Sequence, residues 1–357
     1  MGGRDMASSL RIATFNCENL FSRPKIFYES AQRSNELLGF VAELQAALKE
    51  ETFDQEKIKA LTNKLKGFAK INDIRGKHDK VNGAGEWVGT VDLTPKVISD
   101  AAVNNTARVI ADVNADVICL IEVENRILLQ KFHDEILYPQ FLEKNNLPPY
   151  PYIMLIDGND ERGIDVSIIS RLPLLWLRSH IFDRSIYDGK EVATFSRDCL
   201  EVQLQLPNNQ TLHLLVNHLK SMGYSPKNDP QSNRRRLLQA QRVAELVDAH
   251  DLDREFVVVA GDFNSDPASP SVAPLVTKPG LYNVNLERPE DDRGTYQTGK
   301  KQIDYLLISD ALKTGLQGMH IERRGIFTKK KWPHYPEVTS EANQASDHAA
   351  VVAEFQF

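Results

Sequence analysis

The sequence predicts a mixed α/β sandwich. Short runs rich in β-branched and other apolar residues recur along the chain, each bounded by Gly, Pro, Asn or Asp, and only a few helical stretches lie between them. Hairpin-length connections such as Pro207-Asn208-Asn209-Gln210 favour strands that pair with their chain neighbours over a regular βαβ alternation.

Taken in order, residues 11–16 form the first predicted strand. Residues 25–93 then differ in character: 35–48 and 53–70 have the pattern of charged amphipathic helices, and 72–89 is an irregular, Gly-rich, polar stretch. The expectation is one domain over residues 1–357, with 25–93 a helical insertion that packs on its surface; the sharper alternative is a cap over a substrate cleft. Residues 94–113 predict the first core helix, with Thr94 as cap, Pro95 at the first helical position and Val97, Ala101, Val109 and Val113 on the apolar face. Strands are predicted at 116–121, 164–170 and 211–216. A second helix over 232–249 has Leu237, Leu238, Ala240 and Leu246 as its expected buried stripe. Runs at 255–260, 302–309 and 349–357 complete the strands.

Composition narrows the function. With 43 basic against 49 acidic side chains, the net charge of -6 offers no global attraction to polyphosphates. Nucleic-acid binding would have to come from bound metal or from local clusters: Arg234-Arg235-Arg236, Arg323-Arg324, and Lys329-Lys330-Lys331 beside Trp332 and Tyr335. No apolar run approaches the roughly 20 residues of a membrane span. Cys17, Cys119 and Cys199 are odd in number and sit in apolar runs, which suits buried free thiols. With no apolar signal region near the N-terminus, a cytoplasmic location is the expectation, and no obligate protein partner is evident. Neither a glycine-rich phosphate loop nor a Gly-x-Ser-x-Gly elbow occurs.

Polar side chains recur at the ends of the predicted strands, where a sheet presents them to a crevice. Asn16 and Glu18 follow the first strand and share a face by the period-two rule. Glu122 ends a run too apolar to be anything but interior, and its oxygen suits a hard cation. Asn217-His218 ends another run. Gly261-Asp262-Phe263-Asn264 sets an acid and an amide on one face after a glycine that permits a turn. Asp304 stands inside an apolar strand, where an unpaired charge is costly and a histidine partner would serve. Ser346-Asp347-His348 precedes the last strand.

These motifs, in this order, resemble those of the endonuclease/exonuclease/phosphatase superfamily, and the stretches around Asp165, Arg171 and 216–221 are similar to its bacterial nuclease-like members. The resemblance implies a four-layered α/β sandwich of two mixed β-sheets flanked by helices, and metal-dependent attack of water on phosphorus. It implies Glu122, Asn16 and Asp347 as magnesium ligands, with Glu18 assisting and Mn2+ or Ca2+ as possible substitutes. It implies His348, Asp304, Asp262, Asn264 and His218 as catalytic residues, and Asp165, Arg171, Asn217, Lys220 and Tyr296 as substrate contacts. A histidine at position 218 sets the chain apart from the abasic-site repair branch. The expected function is a phosphodiesterase acting as a nuclease on DNA or RNA; the alternative is a phosphatase or phosphodiesterase on a small phosphoester, nucleotide or phospholipid head group.

Overall fold

The computed structural model describes residues 9–20, 24–95, 99–160, 163–222, 228–328 and 332–357. The chain divides into two compact units, one of Met1–Phe21 with Ser99–Phe357, the other of Ser22–Ile98. Strand β1 (Ser9–Leu20) belongs to the first. The second holds helices α1 (Ala31–Ala47) and α2 (Gln55–Lys64), then a hairpin of β2 (Ala69–Arg75) and β3 (Val88–Leu93). The hairpin corrects the expected irregular stretch. Its anchor is Asp73, which accepts hydrogen bonds from Trp87 Nε1 at 2.7 Å and from the His78 backbone N–H at 3.2 Å.

Helix α3 (Asp100–Val113) starts later than predicted, because Ser99 caps it by accepting the Ala101 N–H. Thr94 is extended, its carbonyl accepting the Lys25 N–H at 2.8 Å, and Pro95 bridges to Pro24. Val97 lies outside the described residues.

The first unit continues with β4 (Val117–Val123), α4 (Arg126–Phe132), β5 (Tyr152–Leu155), β6 (Asp165–Ser170) and β7 (Leu174–Ser179). A small hairpin follows, β8 (Arg184–Tyr187) with β9 (Lys190–Ala193), then β10 (Cys199–Gln205) and β11 (Thr211–His218). The remainder is α5 (Asn233–Val247), β12 (Phe256–Asp262), β13 (Leu281–Asn283), β14 (Asp304–Ser309), β15 (Leu316–Glu322) and β16 (Ala350–Gln356). All seven predicted strands are present among these. The turn at 207–210 joins β10 to β11 as an antiparallel hairpin, with Asn209 supplying the positive φ of 63°.

Two six-stranded mixed sheets result, ordered β15-β16-β1-β4-β6-β5 and β13-β14-β12-β11-β10-β7. Their inner faces meet in one apolar core that includes Ile12, Ile121, Val216, Ala260, Leu306 and Val351. A second core lies between the first sheet and α3, a third between the second sheet and α5, so helices flank both sheets in four layers.

The buried stripe of α5 is Arg236, Gln239, Ala240, Val243 and Val247; the predicted Leu237, Leu238 and Leu246 are only half-buried. Polar bonding sets this phase. Arg236 donates to the carbonyls of Lys220 and Gln231 at 2.6 and 2.8 Å, and Gln239 accepts the Lys220 N–H while donating to Thr194 and Ser196. Satisfied in this way, two long polar side chains occupy a core position that leucines would otherwise fill.

Candidate active site

The inner stripes of the central strands are mostly apolar and give way to polar residues at the end of the sheets that holds the site. Ile12 leads to Asn16 on β1, Val216 to His218 on β11, Ala260 to Asp262 on β12, and Leu306 and Ile308 lie on the same face of β14 as Asp304. Register aligns the last three: His218 is opposite Asp262, and Asp262 opposite Asp304. Asn16 approaches from the facing sheet, its Nδ2 donating to Asp262 Oδ2 at 3.1 Å.

Asp262, 1% exposed, is the centre of this cluster. It accepts the Asn264 N–H at 2.7 Å and Asn264 Nδ2 at 3.1 Å, with His218 Nε2 at 3.6 Å and His348 Nε2 at 4.0 Å. Burial, and the neighbouring charges of Asp304 and Glu122, raise its carboxyl to about 7 against the pull of His348. Asn264 holds a left-handed backbone, φ 52°, and donates also to the Leu219 carbonyl.

His348 Nδ1 lies 2.9 Å from Asp304 Oδ2. Burial works against a charged imidazole, but the carboxylates of Asp304, Asp262 and Asp347 outweigh it and hold the His348 pKa well above its ordinary value. Behind the pair stands Thr295, whose hydroxyl donates to Asp304 Oδ2 at 2.6 Å and accepts the Ile303 and Asp304 N–H groups. Ser346 accepts the His348 N–H and donates to the Asn16 carbonyl at 2.7 Å, tying the start of β16 to β1. The sequence reading gives Thr295 no role; its only signal is the Gly294-Thr295 pair ahead of the Asp304 strand.

Two carboxylates reach the site through irregular backbone. Strict alternation fails at Glu18, where the register with β4 slips and φ is 48°; an Asx-type contact, Glu18 N–H to Asn16 Oδ1 at 3.0 Å, brings the side chain round. Its Oε2 accepts the Asp347 N–H and Gln344 Nε2 at 3.0 and 3.1 Å. Glu122 follows inward-facing Ile121, so alternation would turn it away. A φ of 63° and a register shift against β6 form a bulge that re-aims it, to 3.8 Å from His218 Nε2. Glu18 is exposed at its outer edge, but packing around its carboxyl, then the nearby carboxylates of Asp347 and Glu122, hold that group above the ordinary glutamate range. Carboxylates that repel one another this way, with an amide oxygen beside them, are a donor set suited to a hard cation. Asp262, Asp304 and His348 also have ligand atoms close enough to converge on an ion. Asp304 and His348 are already bonded to each other, whereas the carboxylates of Glu18, Glu122 and Asp347 stand near one another without converging as closely.

The other sequence candidates are dispersed. The Tyr296 ring lies 4.9 Å from that of His348. Asp165, on the strand next to Glu122, accepts the Gly158 N–H at 2.8 Å; burial, then Asp157, Asp160 and Asp198, push it up to about 7. Asn217 faces away from the site, one residue out of phase with His218, and donates to the Leu215 carbonyl. The Lys220 backbone is bonded to α5. Arg171 is at the far end of β6, bonded to Asn114 and over the Tyr150 ring, because β6 runs antiparallel to β4. The arginines of the clusters have partners within the protein: Arg236 is buried, Arg235 donates to the Ala193 carbonyl, Arg234 pairs with Asp188, Arg323 with Asp292, and Arg324 with Glu322 and Asp112. Lys329-Lys330-Lys331 lies outside the described residues. Cys17, Cys119 and Cys199 are free and buried.

A carboxylate and imidazole cluster at the end of a double sheet suits attack on phosphorus, so fold and site together describe a hydrolytic phosphoesterase. The chain belongs to the Endonuclease/Exonuclease/phosphatase family, whose model matches residues 87–348. Members of this family are hydrolytic phosphoesterases, generally dependent on a divalent metal, and act on nucleic acid or other phosphoesters. An endonuclease/exonuclease/phosphatase from Bacteroides vulgatus is similar in structure over 97% of this chain and 98% of its own, with 11% identity and a TM-score of 0.51. A family protein from Bacteroides thetaiotaomicron is similar over 99% and 96%, with 13% identity and a TM-score of 0.51. At these identities the likeness is one of fold. No curated protein matches the sequence. Among the described residues, no helix is long and apolar enough to cross a membrane.

Proposed function

We propose that the protein is a magnesium-dependent phosphodiesterase that cleaves nucleic acid by in-line attack of water. The observation that carries the hydrolytic part is the surrounding of Asp262. Poised near neutrality and within 4.0 Å of His348 Nε2, it is suited to take the proton of the attacking water. Water oxygen then bonds to phosphorus as the ester P–O bond breaks, and the proton taken by Asp262 passes to the leaving oxygen. His348, held cationic by Asp304, donates a hydrogen bond to a phosphoryl oxygen, and His218 Nε2 adds a donor as negative charge builds there; Asn264, whose amide donates to Asp262 and to the Leu219 carbonyl, holds the Asp262 carboxylate in place. Magnesium held by Glu122, Asn16, Asp347 and Glu18 would supply Lewis-acid charge at the phosphoryl oxygens.

The turn beside His348 supports a polymeric substrate. Tyr296 bridges to both His348 and Lys301, and Lys300 and Lys301 are exposed there without salt-bridge acids of their own among the described residues. Plasmid incubated with magnesium and protein should be nicked, and EDTA or His348→Ala should abolish nicking. Intact plasmid, alongside phosphate or head-group release from small compounds, would reverse the substrate assignment.

A further inference from the structure

Five residues back along β11 from His218, roughly 17 Å at strand rise, the outer face of the second sheet carries another polar cluster. His213 on β11, Glu255 at the start of β12 and His250 beyond α5 bring ligand atoms within 4.8 Å of one another. His250 Nδ1 is 2.9 Å and His213 Nε2 3.8 Å from the same oxygen of Glu255, and the two rings are 4.7 Å apart.

Behind them the acids are arranged in sequence. Glu201 on β10 faces the other nitrogen of His250 at 3.8 Å and meets His180 Nε2 at 3.1 Å; Asp183 then links His180 to Arg242. A metal-ligating histidine is held in this manner, with one nitrogen toward the ion and the other toward a carboxylate. His213 has incomplete bonding of its own. Its Nε2 faces the Gln203 amide at 3.3 Å and the Thr211 hydroxyl at 3.4 Å, while Nδ1 is buried with no hydrogen-bond partner.

We propose that His213, His250 and Glu255 form a second metal site for a borderline divalent cation of the zinc type. Two imidazoles and a carboxylate select such an ion over magnesium, which prefers oxygen donors throughout. Tetrahedral ligands at about 2.1 Å stand roughly 3.4 Å apart, so closing the widest pair asks for a shift on the order of 1 Å. Bound there, the ion ties the starts of two central strands to the end of α5, and Glu201 orients His250.

The test uses the full chain, stripped by chelator and then given excess magnesium to occupy hard oxygen sites. It is titrated with Co2+ as a visible-absorbing probe and with Zn2+ by calorimetry. One equivalent should bind, with the absorption of a nitrogen and oxygen four-coordinate site. His213→Gln and His250→Gln should each weaken it by roughly 10-fold or more, and Glu122→Gln should leave it unchanged. No binding by the unaltered protein, binding indifferent to both histidine variants, or binding lost in Glu122→Gln overturns the proposal. Should the histidine variants not fold, Glu255→Gln decides: weakened binding supports the site and unchanged affinity overturns it.

Discussion

Asp262 draws contacts from both sheets, and its neighbours can be separated by substitution. Asn264→Ala removes the amide that donates to Asp262 and to the Leu219 carbonyl and so frees the Asp262 carboxylate to move; kcat should fall on the order of 10²–10³-fold with KM little changed, and a loss confined to KM would contradict the role. Asp304→Asn keeps the shape around His348 but removes the charge that orients and protonates it, so kcat should fall roughly 10²–10⁴-fold. Asp165 gives a pH test. Its carboxyl stands at about 7, against an ordinary 3.8, so the stability it contributes is full below the lower value and is lost as pH rises through the higher. Asp165→Asn can still accept the Gly158 N–H, so by melting it should be more stable than the unaltered protein by about 3–4 kcal/mol near pH 8, with the gap narrowing as pH falls and closing near pH 4. A gap that does not change with pH would show that Asp165 does not titrate this way. At this scale the sequence is a good guide to identity and a poor one to aim. His218, Asp262, Asp304 and His348 are legible as polar residues at or next to the ends of apolar stripes. The turning inward of Glu18 and Glu122 is not, because it depends on bulges set by register with neighbouring strands. Arg171 fails for the same reason, since nothing local tells which end of β6 faces the site.

The central strands declare themselves in sequence because both of their faces are buried. Within the two large sheets the expectation omits β5, β7, β10, β13 and β15, and it omits both small hairpins, β2 with β3 and β8 with β9. Of these, β7 and β15 are half-exposed and alternate weakly, and β13 is only three residues long. α5 was legible as a helix but not in phase, since a buried Arg236 looks like surface until its acceptors are known. β11 and β12 approach closely at Gly261. Gly261 has φ 127°, and a Cβ there would stand 1.9 Å from the Asn217 carbonyl oxygen. The glycine thus serves close strand approach within β12, where the sequence suggests a turn. Gly261→Ala should cost roughly 2–4 kcal/mol in denaturant unfolding and push Asp262 out of line with His218; an alanine variant of undiminished stability would mean the strands can part at no cost.

At the scale of the molecule, every residue proposed for catalysis or magnesium binding lies in the unit of Met1–Phe21 with Ser99–Phe357. The unit Ser22–Ile98 has its own buried residues, including Leu37, Leu44, Ile58, Leu61 and Leu65. The chain enters and leaves this second unit at one place, where Pro24 bridges to Pro95 and the Lys25 N–H donates to the Thr94 carbonyl at 2.8 Å. A loop that closes on itself can be shortened at small entropic cost, because closure free energy varies only with the logarithm of length. Replacing residues 25–94 by a short Gly/Ser linker should therefore leave a cooperatively folding protein that binds magnesium. Its turnover of a small chromogenic phosphodiester should stay within the same order of magnitude as that of the full chain. Comparing plasmid cleavage then gives the unit a function or denies it one: a loss seen only with the polymer assigns residues 25–94 to substrate grip, and equal loss on both substrates shows that they support the fold of the site. A shortened chain that melts without cooperativity would refute the independence of the two units.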